Sequence, residues 1–234
     1  MPCRQSRNSL LPPLLAFAAG QLCSLRVASL PRQQSFAMSH FSYARACGID
    51  FGTSNSTVGW IRSGYSTLLP LEDDKPTLPS VVFFNAEENS VSFGRAGLRE
   101  YLEGYEGRLM RSLKSLLGSS LIDGRTDVQG TVVIFRDLLT RFIASLKARA
   151  EVQGGRTFDQ AVLGRPVFFV DDDPAADRVA EQTLADIARA VGFSDISFQY
   201  EPIAAAFHYE TTLAREELVL GADIGGGTSD FSIV

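Results

Sequence analysis

The chain has 234 residues, 45% of them hydrophobic and 21% charged, so it is long and apolar enough to bury the core of one or two domains. Its net charge of −5 is uneven, because residues 1–37 contain four arginines and no acidic residue, and residues 38–234 therefore carry −9. Nucleic-acid binding needs clustered Lys and Arg, so the negative charge of residues 38–234 argues against a nucleic-acid partner. Residues 38–234 also contain no run of about 18 uncharged apolar residues, which argues against a membrane-spanning segment.

Residues 1–37, the leader segment, are expected to lie outside the folded domain. Two arginines ahead of the apolar run 10–19 are typical of a secretory signal, whereas two prolines inside that run and an acid-free remainder favour an organellar transit peptide. A third interpretation is that Met38 is the true start and that the leader segment is over-translated upstream sequence. All three interpretations stay open, and residues 38–234 form the body in which a fold is expected.

The cysteines bear on the compartment in which the body works. Cys3 and Cys23 lie in the leader segment and only Cys47 lies in the body, so the body cannot form a disulfide within itself. No second Cys or His follows at the spacing of a metal site. A body with one unpaired cysteine is typical of a reduced, cytoplasmic protein.

The first half of the body opens with short strands. Apolar and β-branched runs bounded by turn residues predict strands at 46–50, 57–61, 66–69 and 80–84. Short helices are predicted at 94–102 and 109–116. Residues 131–150 have the strongest helical pattern, because their apolar side chains recur with a period of 3.6 and form one stripe.

The second half alternates strands with helices. Strands are predicted at 161–163, 167–170, 196–200 and 218–223, and helices at 174–191 and 202–209. Asp173 followed by Pro174 is typical of a helix start, and Gly192 is typical of a helix end. Strands first in a meander and then in alternation with helices predict an α/β domain with a mixed sheet.

Two segments of the body share the same order of residue types. Residues 48–56 and 222–230 are each an apolar strand that ends in aspartate, followed by an apolar residue, glycine, threonine and small polar residues. Glycine lets backbone amides approach an anion closely, hydroxyls add donors, and the aspartate could accept from a hydrated cation. Two such hairpins could hold a polyphosphate from both sides. Each taken alone is also compatible with an ordinary hairpin turn or a flexible loop.

Other nucleotide-binding and hydrolase motifs are absent from the sequence. It has no Gly-x-x-x-x-Gly-Lys-[Ser/Thr] loop and no Gly-x-Ser-x-Gly elbow. Its two histidines, His40 and His208, have no catalytic-triad context. A polyphosphate would therefore be held by the two glycine-containing hairpins and not by a P-loop.

The matched segments resemble the two phosphate motifs of the superfamily of actin, sugar kinases and heat-shock ATPases. Within it, the seventy-kilodalton heat-shock chaperones are the nearest match. Four further segments follow in that family's order, at residues 75–82, 111–118, 165–169 and 201–206. The resemblance extends over residues 47–234.

This resemblance implies an actin-like, ribonuclease H-like ATPase fold with mixed sheets, truncated to lobe I plus the start of lobe II. Residues 38–234 would be the N-terminal part of the nucleotide-binding domain. The intact protein would be a molecular chaperone that binds and hydrolyses ATP with Mg²⁺, and exchanges ADP, to capture and release unfolded polypeptide clients with the help of co-chaperones. The chain alone is expected to be inactive.

The resemblance also assigns roles to individual residues. Asp50, Glu201 and Asp223 would hold a hydrated Mg²⁺ and the attacking water. Lys114 would contact the γ-phosphate with Thr228 beside it, since a lysine and carboxylate-held Mg²⁺ neutralise the charge that spreads in phosphoryl transfer. The phosphates would be cradled by Gly52, Thr53, Ser54, Asn55, Gly225, Gly226, Gly227 and Thr228.

Some residues depart from the family's pattern. Pro166 and Arg178 resemble a relay between nucleotide state and peptide release, but residues 171–174 lengthen the connection between them. Arg165 replaces the usual small apolar residue, and residues 128–130 also differ. These departures indicate a divergent bacterial-type member. Two alternatives are a small-molecule kinase of the same superfamily and a non-enzymatic assembly protein that is switched by nucleotide.

Overall fold

The fold is given by a computed structural model that describes residues 26–27, 46–62, 65, 67–128, 130–210, 217–225 and 229–233. The strands are β1 (Arg26–Val27), β2 (Ala46–Phe51), β3 (Asn55–Gly59), β4 (Thr77–Pro79), β5 (Val81–Asn85), β6 (Ser90–Phe93), β7 (Gly107–Arg111), β8 (Arg125–Val128), β9 (Thr131–Ile134), β10 (Gln160–Arg165), β11 (Asp195–Tyr200), β12 (Leu218–Ile224) and β13 (Ser229–Ile233). The helices are α1 (Gly94–Glu103), α2 (Phe135–Gly154), α3 (Pro174–Ala190), α4 (Glu201–Glu210) and a 3-10 helix at Leu113–Leu116.

The largest sheet has five strands in the order β11-β10-β2-β3-β4. Strand β10 pairs in parallel with both β2 and β11, whereas β2, β3 and β4 pair antiparallel. The expectation of an α/β domain with a mixed sheet is therefore confirmed. Because β2, β10 and β11 are parallel, their carboxyl ends meet at one edge of the sheet.

Helices α2 and α3 bring apolar side chains to the core beside this sheet. The buried stripe of α2 repeats every three or four residues and consists of Leu138, Leu139, Phe142, Ile143, Leu146 and Ala150. The ring of Phe142 lies 5.7 Å from that of Phe51 on β2, so helix and sheet share one core. Each large apolar side chain buried in this way contributes about 1.5–3 kcal/mol relative to an exposed one.

Three smaller sheets surround the large one. Strand β5 lies between β6 and β7, and α1 packs on it closely enough that Gly97 approaches the Cβ atom of Phe83. Strands β8 and β9 form a hairpin before α2, and β12 pairs with both β1 and β13. Among the described residues, every helix is too short or too polar to serve as a membrane span.

Two predicted helices begin or end differently in the structure. The helix predicted from residue 131 starts only at Phe135, because Thr131–Ile134 pair with Arg125–Val128 as a hairpin. All four of these residues are β-branched and precede the apolar stripe of the helix, and such residues favour strands. The helix predicted at 109–116 is wrong in its first part, where β7 pairs with β5, and is a 3-10 helix afterwards.

The connection after β10 is irregular rather than the strand predicted at 167–170. Helix α3 then starts as predicted, since Asp173 Oδ1 accepts hydrogen bonds of 3.0 Å from the amides of Ala175 and Ala176. Its end is also confirmed, because Gly192 adopts a φ of 99°, which favours glycine. The ends of α3 are therefore set by local chemistry.

Two residues of the leader segment take part in a sheet. Arg26 and Val27 pair antiparallel with Val219 and Leu218 of β12. The other leader residues lie outside the described residues. The expectation that the leader segment lies outside the folded domain stays a prediction.

Candidate functional site

The candidate site lies at the edge where the parallel strands of the large sheet end. Asp50 is the penultimate residue of β2 and is half-buried. Gly164 and Arg165 end β10, and Tyr200 ends β11 immediately before Glu201 opens α4. Three chain segments that are far apart in sequence therefore deliver side chains to one edge.

Lys114 and Glu201 form a direct ion pair across this edge. Lys114 Nζ lies 2.6 Å from Glu201 Oε1, and the two side chains are only 7% and 15% exposed. Lys114 is held inward by the 3-10 helix, which follows Ser112 in a left-handed conformation with φ 57°. A buried ammonium group is tolerated when a carboxylate is paired with it, so each partner accounts for the burial of the other.

Gly164 gives Glu201 room to lie against β10. A Cβ atom at position 164 would stand 3.3 Å from Glu201 Cγ and 3.6 Å from the carbonyl oxygen of Ile49. The Glu201 carboxylate therefore lies close to the strand end that carries Asp50. Sequence reasoning did not single out Gly164, although its place between a buried strand and a proline was a signal that could have found it.

The turn after β2 is held by Ser80. Its hydroxyl donates a 2.7 Å hydrogen bond to the Gly52 carbonyl, and its amide donates a 2.9 Å bond to the Ser54 carbonyl. Gly52 is required by a close approach, because a Cβ atom there would overlap the Asn55 carbonyl oxygen. Thr53 is half-buried, and Ser54 and Asn55 are exposed at the tip.

A buried hydroxyl stands opposite Asp50. Thr57 is its cross-strand partner on β3, so both side chains point to the same face of the sheet. Thr57 Oγ1 is buried and has no hydrogen-bond partner among the described residues. Because buried polar atoms are almost always satisfied, this hydroxyl indicates a place for a polar ligand or water beside Asp50.

The second glycine segment is described only in part. Asp223 pairs through its backbone with Asp230 in the β12–β13 hairpin, but its side chain lies outside the described residues. Gly225 is exposed directly after β12, and Gly226, Gly227 and Thr228 lie outside the described residues. The structure thus brings Lys114, Glu201 and the neighbourhood of Asp50 together, and the approach of the second hairpin stays a prediction.

The segment between Pro166 and Arg178 is tied down by Arg165. Its guanidinium bonds the carboxylate of Asp177, with Nη2 to Oδ2 at 2.8 Å. Burial by itself raises the pKa of Asp177, but hydrogen bonds from Arg165 and from the Phe169 amide hold that pKa below its usual value. Arg178, the next residue of α3, is exposed. The relay expected of Pro166 and Arg178 stays a prediction.

Two other kinds of chemistry find no support in the described part of the chain. Burial raises the pKa of the Cys47 thiol to about 12, so it is not a thiolate nucleophile near neutral pH. No three described His, Cys, Asp or Glu side chains stand close enough to hold a metal ion by direct ligation. A cation expected through water contacts with Asp50, Glu201 and Asp223 is a separate matter, since Asp223's side chain is outside the described set.

Comparisons with known proteins decide the family. A model of the Hsp70 protein family matches residues 46–234. The chain belongs to the Hsp70 family. A chaperone protein HscA homolog from Methylobacillus flagellatus is 36% identical over 206 residues, which cover 81% of this chain and 32% of the relative. A second HscA homolog, from Laribacter hongkongensis, is 34% identical over 207 residues with the same coverage.

Membership of the Hsp70 family confirms the resemblance drawn from the motifs and agrees with the mixed α/β architecture expected of the N-terminal lobe of an actin-like ATPase. The bacterial source of both relatives agrees with a bacterial-type member. These matches give no support to the small-molecule kinase alternative. The chain spans about a third of the length of the curated relatives it matches, with 32% of each covered.

Proposed function

We propose that this chain supplies the phosphate-binding part of the nucleotide site of an Hsp70-type chaperone ATPase. The observation that carries the proposal is the Lys114–Glu201 pair at 2.6 Å, at the edge where β2, β10 and β11 end. Ligands of open α/β sheets bind beyond the carboxyl ends of parallel strands. A cation and an acid that are 87 positions apart have been brought to this place.

The donor set fits a nucleotide with Mg²⁺. Carboxylates at Asp50 and Glu201 suit a hydrated Mg²⁺, which keeps several waters and takes few protein ligands. The buried hydroxyl of Thr57 beside Asp50, which has no hydrogen-bond partner in the described part of the chain, is compatible with a polar occupant. Magnesium bound there would supply neutralisation of phosphate charge.

The residues of the chain have complementary roles in this proposal. The ammonium of Lys114 has three N–H donors and uses one for Glu201, so it can also donate to a phosphate oxygen. The Glu201 carboxylate accepts hydrogen bonds and can orient a water molecule. The turn at residues 52–55, held by Ser80, offers backbone amides and hydroxyls to phosphates. Gly225, Gly226, Gly227 and Thr228 would complete the cradle from the second hairpin.

The intact protein, meaning this chain continued to the length of its relatives, would couple ATP turnover to capture and release of unfolded polypeptide. Its partners would be polypeptide clients and co-chaperones, and its compartment the cytoplasm. The similarity of the chain to two HscA chaperones supports this proposal. Pro166 and Arg178 would transmit the nucleotide state to the peptide-binding part.

The test is Lys114→Ala in the intact protein. Nucleotide binding should stay within a few-fold of the wild type, whereas single-turnover hydrolysis should fall by roughly 10²–10³, the usual effect of losing one preorganised group that stabilises transition-state charge. The matched control is Lys147→Ala, which removes another paired lysine, bonded to Glu151 at 2.5 Å on α2. Wild-type hydrolysis by a folded Lys114→Ala variant would contradict the proposed role.

A further inference from the structure

Arg165 makes five side-chain hydrogen bonds next to the candidate site, yet it has no role in the nucleotide chemistry proposed above. It is the last residue of β10. Its side chain is only 9% exposed. An arginine buried at this position needs a physical reason, because its guanidinium stays charged.

The guanidinium fixes the connection between β10 and α3. Its Nη2 atom donates to both carboxylate oxygens of Asp177, at 3.1 and 2.8 Å, and Nη1 donates to Glu181 one turn later. Nε and Nη2 also donate to the carbonyls of Pro166 and Val167, at 3.1 and 3.2 Å. All three guanidinium nitrogens are therefore bonded, and the start of α3 is joined to the end of β10.

The same guanidinium lies against the residue that precedes Glu201. Its central carbon is 5.1 Å from the ring centre of Tyr200, which is also its partner in the parallel pairing of β10 and β11. The ring of Phe169 lies 5.2 Å away from the same carbon. Since α4 begins directly after Tyr200, this stacking holds the point from which the Glu201 side chain departs.

The connection that Arg165 holds also contacts the segment that carries Lys114. A Cβ atom on Gly118, four residues after Lys114, would overlap Val170 Cγ2. Gly118 has a φ of 76°, so the backbone turns there and presents its bare α-carbon to Val170. Arg165 thus reaches one partner of the ion pair through Tyr200, and the other through residues 166–170 and Gly118.

We propose that Arg165 is a positioning residue that keeps Lys114 and Glu201 aligned with each other. This inference rests on the proposed function of that pair and names a further residue for it. The guanidinium is suited to the task, because its three nitrogens bond two carboxylates and two backbone carbonyls while its plane lies against two aromatic rings. A lysine at this position would keep the charge and lose both properties.

The test measures the reactivity of Lys114 in the 234-residue chain without nucleotide. The only lysines in the sequence are Lys75, Lys114 and Lys147, so acetylation by acetic anhydride at each can be followed by peptide mass spectrometry. Lys75 is exposed and serves as the fast reference, and Lys147 is a paired lysine on α2. Lys114 should react slowly in the wild type, since it is buried and bonded to Glu201.

In Arg165→Lys, acetylation of Lys114 should become about tenfold faster relative to Lys147, because local opening at the pair becomes easier. Glu201→Gln is the positive control, since it removes the partner carboxylate directly. Arg136→Lys is the matched control, because it alters an arginine bonded to Asp123 at 2.8 Å at the start of α2, and it should leave Lys114 unchanged.

A second variant, Glu181→Gln, weakens one of the two carboxylate contacts of Arg165 and leaves the Asp177 contact in place. It should accelerate acetylation of Lys114 by a smaller factor than Arg165→Lys does. The proposal is overturned if Lys114 keeps its wild-type reactivity in folded Arg165→Lys. It is equally overturned if Lys114 and Lys147 accelerate together in both variants, which would show a general loss of structure. Since no nucleotide is present, the acetylation result tests the role of Arg165 independently of whether the protein hydrolyses ATP.

Discussion

At the scale of single residues, the main feature of the candidate site is a buried pair of opposite charges. Lys114 and Glu201 are both largely buried and paired with each other. A buried ion pair is weak evidence of added stability, because the cost of desolvating the two charges offsets their attraction. Removing one partner, by contrast, leaves an uncompensated charge in a place with little water. The pair is therefore better explained by what it can bind than by what it adds to folding.

Asp223 offers the most direct test of the metal at this scale. In the intact protein, Asp223→Asn should weaken binding of Mg·ATP far more than binding of ATP without metal. The reason is that this carboxylate is expected to contact Mg²⁺ through water and to touch neither base nor sugar. Calorimetric titrations with Mg²⁺ and with EDTA measure the two affinities.

Asp127→Asn is a suitable control for that titration. Asp127 is an exposed acid on β8, and its carboxylate accepts a 3.1 Å hydrogen bond from the Gly130 amide away from the site. It should change neither affinity. Equal losses with and without Mg²⁺ in Asp223→Asn would show that the residue acts on the fold or on the nucleotide itself.

Individual site residues could be predicted where a motif carries its own chemistry. Lys114 and Glu201 were predicted from short family-like segments, and the structure brings them into contact. Ser80 lies inside a family-like segment, but the sequence analysis assigned it no role, because its hydrogen bonds to Gly52 and Ser54 depend on how β4 pairs with β3. Such tertiary contacts leave no periodic signal in the sequence.

At the scale of elements, helix ends were predicted best where capping residues act locally. Helix α3 begins at Pro174 after the Asp173 cap and gives way to Gly192, in agreement with the sequence pattern. Residues 131–134 were misassigned because they run without a break residue into the helical stripe that follows them. Only the pairing with β8, a tertiary feature, decides for a strand.

The cap of α3 yields a stability prediction. Asp173→Ala removes the acceptor for the amides of Ala175 and Ala176 and should lower the free energy of unfolding by about 0.5–2 kcal/mol. In a domain of this size, the melting temperature should fall by about 2–4 °C for each kcal/mol. Thermal unfolding followed by circular dichroism measures the change.

Asp171→Ala is the matched control for the cap. Asp171 is exposed in the same acidic connection, and its replacement removes an equal charge without touching the cap. Its melting temperature should stay close to the wild-type value. A similar decrease in both variants would show that the charge of the connection matters and the cap does not.

At the scale of the whole molecule, the two described residues of the leader segment form one short strand. We predict that residues 38–234 fold as well as the full chain, since β1 adds only the pairing of Arg26 and Val27 with β12. A melting temperature lowered by more than about 5 °C, beyond what roughly 1 kcal/mol does in such a domain, would show that the leader packs on the body. Val27→Pro in the full chain isolates the strand pairing, because proline cannot donate to a ladder.

The polypeptide of 234 residues should, by itself, bind Mg·ATP weakly and hydrolyse it negligibly. Ligands held between two lobes gain affinity from both walls, and this chain covers 32% of the HscA relatives. Strand β13 also presents Phe231 and Ile233 at more than half exposure on an edge, which favours association. Calorimetry on purified residues 38–234 tests this, and a soluble monomer with a micromolar or tighter dissociation constant would contradict it.

The topology of the large sheet also governs when the site can come into existence during synthesis. The parallel pairing of β2 with β10, in which Ala46 lies opposite Gln160, can form only after β10 has been synthesised. The Lys114–Glu201 ion pair also needs Glu201, which follows β11. Helix α2 and the β5–β6 hairpin are built from contacts between residues close in sequence, so each can form as soon as its own residues have been synthesised. A ribosome that has made residues 1–195 has therefore made most of the described helices and Lys114, but the ion pair with Glu201 can form only after the chain has passed residue 201.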